Sequence, residues 1–187
     1  MEQVLHLFII NTCRHDCPLC CNKFYDIEKI PVVTVERLKS VDTVCLTGGE
    51  PLMLHDNTLY DFVFGLRVQY PNIKNLYVYT SGKELSARRD TVEALVNGSF
   101  INGVNVSPKD GVDWMGLATT IREAPSIFRS GSNRLYVFEE QQSEFAKWKW
   151  QFSGKNIDII CRKWDRVFNT NGNEYFERLP ILFRCHS

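Results

Sequence analysis

The chain has no surplus of charge in either direction: 22 lysines and arginines stand against 22 aspartates and glutamates over 187 residues. Proteins that hold nucleic acid or an anionic membrane through bulk electrostatics carry a basic excess, so neither partner is expected. Long apolar runs are missing too. The run Val4–Ile10 is far below the roughly 20 residues that a bilayer span needs, and Glu2 stands where a secretory signal would place basic residues. A cytoplasmic protein with no membrane partner is the expectation. The sequence also lacks internal repeats, low-complexity tracts and linkers, which predicts one domain over residues 1–187. Finally, seven cysteines are an odd number and make no disulfide framework; they suit ligands and reduced thiols.

What is present is alternation. Runs rich in Val, Ile, Leu and Tyr predict strands at Val4–Asn11, Thr43–Thr47, Asn75–Thr80, Gly103–Ser107, Arg134–Glu139 and Ile157–Cys161. Several are almost continuously apolar, as strands buried on both faces are. Between them, Leu59, Phe62, Val63, Leu66 and Tyr70 recur at helical spacing up to Pro71. Val92, Leu95 and Val96 form another apolar face closed by Asn97-Gly98, and Thr34 is placed to cap a helix through Ser40. Met115, Ala118 and Ile121 predict a fourth helix. The segment Glu144–Phe152 fits either period, and its place between two strands selects helix, with Trp148 and Trp150 partly buried under snorkelling lysines. The βα order predicts an α/β fold with a parallel sheet and right-handed crossovers. Six units of roughly 30 residues use nearly the whole chain.

Chemistry concentrates just past the first two strands. Cys13, Cys17 and Cys20 follow strand one, with three residues and then two between them. Three clustered thiols admit two readings. One is an iron–sulfur cluster with one iron left open; the other is a zinc site completed by His15, Cys21, Cys161 or Cys185. Cys45 lies inside a strand and is expected in the core. Thr47-Gly48-Gly49-Glu50-Pro51 follows strand two, and its paired glycines suit close approach of backbone to a ligand. Strand three ends in Thr80-Ser81-Gly82, and strand four in Ser107-Pro108-Lys109.

The spacing of Cys13, Cys17 and Cys20, together with the Gly48–Pro51 turn, resembles the radical S-adenosylmethionine (SAM) superfamily. The resemblance implies a (βα)₆ partial TIM barrel with minimal accessory elements. It implies a [4Fe-4S] cluster on the three cysteines, and SAM held by Gly48, Gly49, Glu50, Pro51 and Ser81. It further implies an enzyme that cleaves SAM reductively to a 5′-deoxyadenosyl radical, which takes hydrogen from a substrate, with an electron donor such as flavodoxin. Ser107-Pro108-Lys109 resembles the matching tripeptide of 7-carboxy-7-deazaguanine synthases, lyases acting on a small heterocycle. That likeness adds Ser107 and Lys109 to the SAM contacts and places Thr47 against the substrate. A glycyl-radical-enzyme activase, with a partner enzyme as substrate, is the alternative within the superfamily. A non-catalytic zinc or iron–sulfur module is the alternative outside it.

The chain departs from the pattern in three places. Leu19 stands where an aromatic residue commonly precedes the third cysteine. Cys21-Asn22-Lys23 lacks the threonine with which the synthases help bind Mg²⁺, leaving Asn22 or Asp26 as substitutes. The fifth strand, Leu135–Glu139, has no glycine motif.

Overall fold

The computed structural model describes residues 2–15, 20, 23, 26–163 and 172–184. Among the described residues the strands are β1 (Val4–Ile10), β2 (Thr43–Gly48), β3 (Asn75–Thr80), β4 (Gly103–Val106), β5 (Asn133–Phe138), β6 (Ile157–Arg162) and β7 (Glu174–Phe183). The α-helices among the same residues are α1 (Val35–Ser40), α2 (Asp56–Gln69), α3 (Gly82–Ala87), α4 (Arg89–Asn97), α5 (Gly111–Glu123), α6 (Ile127–Ser130) and α7 (Gln142–Trp148). The strands are parallel and hydrogen-bonded in the order β6-β5-β4-β3-β2-β1-β7. An α/β fold with a parallel sheet is therefore established. The chain divides into two compact units, Met1–Val78 with Asp165–Ser187, and Tyr79–Trp164.

In unit 1, period-two alternation sorts the strands into two unlike faces. Leu5, Leu7, Val44, Leu46, Leu76 and Val78 share one face through the β1–β2 and β2–β3 registers, and all are fully buried. The other face carries His6, Phe8, Cys45, Thr47 and Tyr77. Cys45 is 1% exposed, the core position expected of it. A 3₁₀ turn at Ile27–Lys29 covers part of this second face, with Ile27 and Ile30 packed on Phe8, and Phe176 and Leu182 beside them. Helix α1 begins where Thr34 caps it, its hydroxyl accepting from the Arg37 N–H at 3.1 Å.

The seventh strand corrects the six-unit expectation. Pro180 interrupts the apolar pattern of residues 174–183 and hides the strand from a periodicity reading. Proline is tolerated because the β1–β7 ladder slips at that point, from Phe8↔Arg178 to Ile10↔Phe183. Residues 31–33 bridge the outer side of β7 at Arg178, which blunts that edge.

Unit 2 is pinned by Asn133, a residue one position before the predicted start of its strand. Its side chain is buried, accepts from the Val104 N–H at 3.0 Å, and donates to the carbonyls of Ile127, Gly131 and Asn156. It thereby ties β4 and β5 to two loops. The predicted helices are all present, with two differences of detail. Helix α5 buries Trp114, Leu117 and Ile121, whereas Met115 is 56% exposed. The apolar stripe is therefore centred one residue earlier than Met115, Ala118 and Ile121 suggested. At the end of α4, Gly98 is the C-cap as expected, its N–H donating to the Ala94 carbonyl at 2.9 Å, and Ser99 follows in the left-handed conformation at φ 59°. The 144–152 segment is helical, as α7 and a following 3₁₀ turn. Its apolar side runs through Phe145 and Phe152 onto Trp114, which leaves Trp150 71% exposed rather than partly buried.

Candidate functional site

Strand β1 delivers the chain to Thr12 and Cys13, and β2 delivers it to Gly48 and Gly49. The two deliveries are bonded together. The Gly49 N–H donates to the Ile10 carbonyl at 2.7 Å, and the Glu50 N–H donates to the Thr12 carbonyl at 2.8 Å. A Cβ on Gly48 would stand 2.2 Å from the Ile10 oxygen, and one on Gly49 would stand 2.0 Å from the Thr12 oxygen. Gly48 also takes φ +118°, which side-chain-bearing residues avoid. Both glycines are thus required by the chain itself. They let the turn press against the backbone entering the cysteine segment.

Glu50 is buried, and its carboxylate accepts from the Leu52 N–H at 3.2 Å, capping the 3₁₀ turn Pro51–Met53 in which Pro51 takes the first position. Thr47 lies on the ring-bearing face of β2, in register with Phe8. Cys13 Sγ accepts from the His15 backbone N–H at 3.4 Å, the type of contact that stabilises sulfur carrying negative charge. Cys13 and Cys20 are both partly exposed, unlike the sealed Cys45. Cys17, Leu19, Cys21, Asn22 and Cys185 lie outside the described residues. Cys161 is exposed on β6. Asp26 caps the Ile27–Lys29 turn by accepting from the Glu28 N–H at 3.0 Å.

No protein-family model matches the chain, and no curated protein matches it. Its functional reading therefore stands on residues and geometry.

Unit 2 gathers Ser81, Ser107 and Lys109. The Ser107 N–H donates to the Thr80 carbonyl at 3.0 Å, holding the end of β4 to the end of β3. Ser81 is buried, and its hydroxyl accepts from the Glu84 N–H, so it caps α3. Lys109 Nζ donates to Ser107 Oγ at 2.6 Å and stands 4.4 Å from the centre of the Phe138 ring. The loop is braced again by Gln141, which donates to the Lys109 carbonyl at 2.7 Å and accepts from the Trp114 indole at 3.0 Å.

The sequence reading missed the residue that organises this group. Asp113 is fully buried; one carboxylate oxygen accepts from the Lys109 N–H at 2.8 Å and the other from the Lys83 N–H at 3.0 Å. A single carboxylate thus fixes the Ser81–Lys83 and Ser107–Lys109 turns together. Hydrogen bonds to a charged acceptor contribute about 1.5–3 kcal/mol each. The contact is tight: a Cβ on Gly82 would stand 1.8 Å from the Asp113 carbonyl oxygen. A signal did exist, since Asp110 and Asp113 hold the N-cap and N3 positions of α5, the spacing of a capping pair.

Proposed function

We propose that the chain is a radical SAM enzyme. The observation that carries this reading is the backbone bonding of Gly49 and Glu50 to Ile10 and Thr12, which sets the glycine turn against the approach to Cys13. Zinc binding gives no reason for such a turn, whereas a cluster that must share its open iron with a bound amino acid does. The donor set suits the group. Cys13 and Cys20 are accessible enough to ligate, and Cys13 already accepts a backbone N–H.

Cys13, Cys17 and Cys20 would hold the cluster. Gly48–Pro51, Ser81, Ser107 and Lys109 would hold SAM. The chemistry supplied by the bound cofactors is one-electron cleavage of the sulfonium and removal of a hydrogen atom from the substrate. The protein's own share is positional. Lys109, steadied by Ser107 and by the bracing of its backbone on Asp113 and Gln141, offers an ammonium to a carboxylate. The Ser107-Pro108-Lys109 turn supports a small heterocyclic substrate, as in 7-carboxy-7-deazaguanine synthase. In unit 1, the sorting of β1–β3 into an aliphatic face and a face carrying His6, Phe8 and Tyr77 favours a partial barrel over an open sheet covered alike on both sides.

Anaerobic reconstitution with iron and sulfide tests the reading. A brown protein absorbing broadly near 400 nm and forming 5′-deoxyadenosine from SAM under dithionite is expected. Both signals should vanish in Cys17→Ala. A colourless zinc protein, or a cluster that leaves SAM intact, would refute it.

A further inference from the structure

In unit 2, β5 and β6 share a face that descends in layers. Parallel pairing sets Phe138 against Arg162 at the strand ends, Tyr136 against Ile160 beneath, and Arg134 against Asp158 lowest. The opposite face carries Leu135 and Val137, both fully buried. Phe138 supports Lys109, whose ammonium lies 4.4 Å from its ring centre. The layer beneath Phe138 has no part in the reading above.

That layer holds a pair of phenols. Tyr79 of β3 stacks on Tyr136, with ring centroids 5.7 Å apart and planes 29° apart. Their hydroxyls stand 3.4 Å from each other, the Tyr79 O–H donating to the Tyr136 oxygen. A firm O–H···O bond is about 2.7–2.8 Å long, so this contact is loose. Tyr136 is 8% exposed, and a tyrosine so deeply buried ordinarily satisfies its hydroxyl. A phenol both donates and accepts. Among the described residues the Tyr136 hydroxyl bonds Tyr79 alone, which fills its accepting role and leaves its own proton to a ligand. Tyr79 is half-buried, so solvent reaches the pair from that side.

The neighbours define the ligand. The Arg162 guanidinium carbon lies 4.8 Å from the Tyr136 ring centre, and its charge favours an electron-rich acceptor over a cation. Donation from Tyr79 polarises the Tyr136 hydroxyl in the same sense. The rings of Tyr79, Tyr136 and Phe138 are flat surfaces, against which a flat ligand packs with most contact.

We propose that the Tyr136 hydroxyl, backed by Tyr79, donates to a carbonyl oxygen or ring nitrogen of a flat, neutral heterocycle. Assigning that heterocycle to the substrate rests on the radical SAM reading; the phenol site itself does not. Tyr136 is then a specificity residue, one layer below the ring that supports Lys109.

The test is ligand binding to the full, reconstituted chain without reductant, read by NMR shifts. The probes are chromone, quinoline and naphthalene: flat bicycles with a carbonyl, with a ring nitrogen and with neither. Tyr136→Phe should weaken chromone and quinoline binding by about fivefold to tenfold, as loss of a neutral hydrogen bond does, and leave naphthalene binding unchanged. Tyr79→Phe removes the polarising donor and should weaken the same two probes by about twofold. Each variant keeps its ring and loses one oxygen, and a melting curve on each checks folding. Tyr79→Phe reads the same selectivity should Tyr136→Phe melt early. The proposal is overturned if chromone and quinoline fail to bind at millimolar concentration, or if Tyr136→Phe binds all three probes as the parent does. It is overturned too if naphthalene binding falls equally, since Tyr136 would then act through packing alone. Cys17→Ala should retain the parent's response to the three probes, so failure of SAM cleavage and failure of the phenol site are read separately.

Discussion

Gly49 illustrates how a motif residue can be required by the chain's own backbone. The missing Cβ leaves room for the Thr12 carbonyl, 2.0 Å from where that carbon would stand. Because backbone cannot swing aside as a side-chain tip can, Gly49→Ala must shift the turn, the strand end or both. Overpacking of this sort costs about 1–3 kcal/mol. Urea unfolding of the variant should show a loss in that range, and iron retained after anaerobic reconstitution should drop with it. Unchanged stability would mean that the turn can move away from Thr12. Asp113 makes the opposite point. Its spacing from Asp110 marks it as a capping residue of α5 and says nothing of a link between two turns. Its value comes from accepting one N–H from each of two turns separated by more than twenty residues.

At the scale of elements, the strand ends are governed by short polar contacts. Asp42, just before β2, accepts from the Lys74 ammonium at 3.0 Å, just before β3. This hydrogen bond, with a smaller contribution from the Gln3 N–H, holds the Asp42 carboxyl below its ordinary value of 3.8. A carboxyl with a depressed folded-state pKa stabilises fully above the unfolded value, and that stabilisation is lost as pH falls through the folded one. The stability difference between the parent and Asp42→Asn should therefore be constant above pH 3.8 and shrink below it. Added salt should shrink it as well, since the pair is exposed. Denaturant melts across acidic pH, at two ionic strengths, measure both effects. A difference that grows on acidification would reverse the assignment.

The same scale shows where periodicity reads well and where it does not. Helix α2 and strands β1–β5 carry their period plainly, since burial of one stripe or of both faces selects the residues directly, whereas β6 reads as a strand from its apolar residues although it is largely exposed. Strand β7 does not, because Pro180 and the charges Glu174, Glu177 and Arg178 break its pattern. Those charges have tertiary partners. Glu177 pairs with Arg37 at 2.9 Å, and the Arg37 guanidinium also lies 3.4 Å from the Tyr175 ring centre. Arg178 donates to the Glu28 and Leu179 carbonyls.

For the molecule as a whole, β7 closes the side of β1 that β2 does not cover. Without it, an apolar strand would present unpaired N–H and C=O groups to solvent. A chain ending before Gly172 should therefore aggregate or lose cooperative unfolding, as judged by size-exclusion chromatography and thermal melting. A monodisperse protein with the parent's melting point would show that β7 merely decorates unit 1. No helix among the described residues is long and apolar enough to cross a membrane, in keeping with the sequence.

Alternating apolar runs are enough to specify a parallel α/β fold, since each strand's burial is written in its own residues and the connections between strands follow from their length and order. The cysteine spacing and the glycine turn were equally visible, because they are local. Contacts between distant segments were not. The bonding of Gly49 and Glu50 to Ile10 and Thr12, the two turns joined by Asp113, and the pairing of the Tyr79 and Tyr136 hydroxyls each depend on strands brought side by side. Only the tertiary structure decides such neighbours, because hydrogen-bond geometry and charge proximity act through space, whatever the separation along the chain.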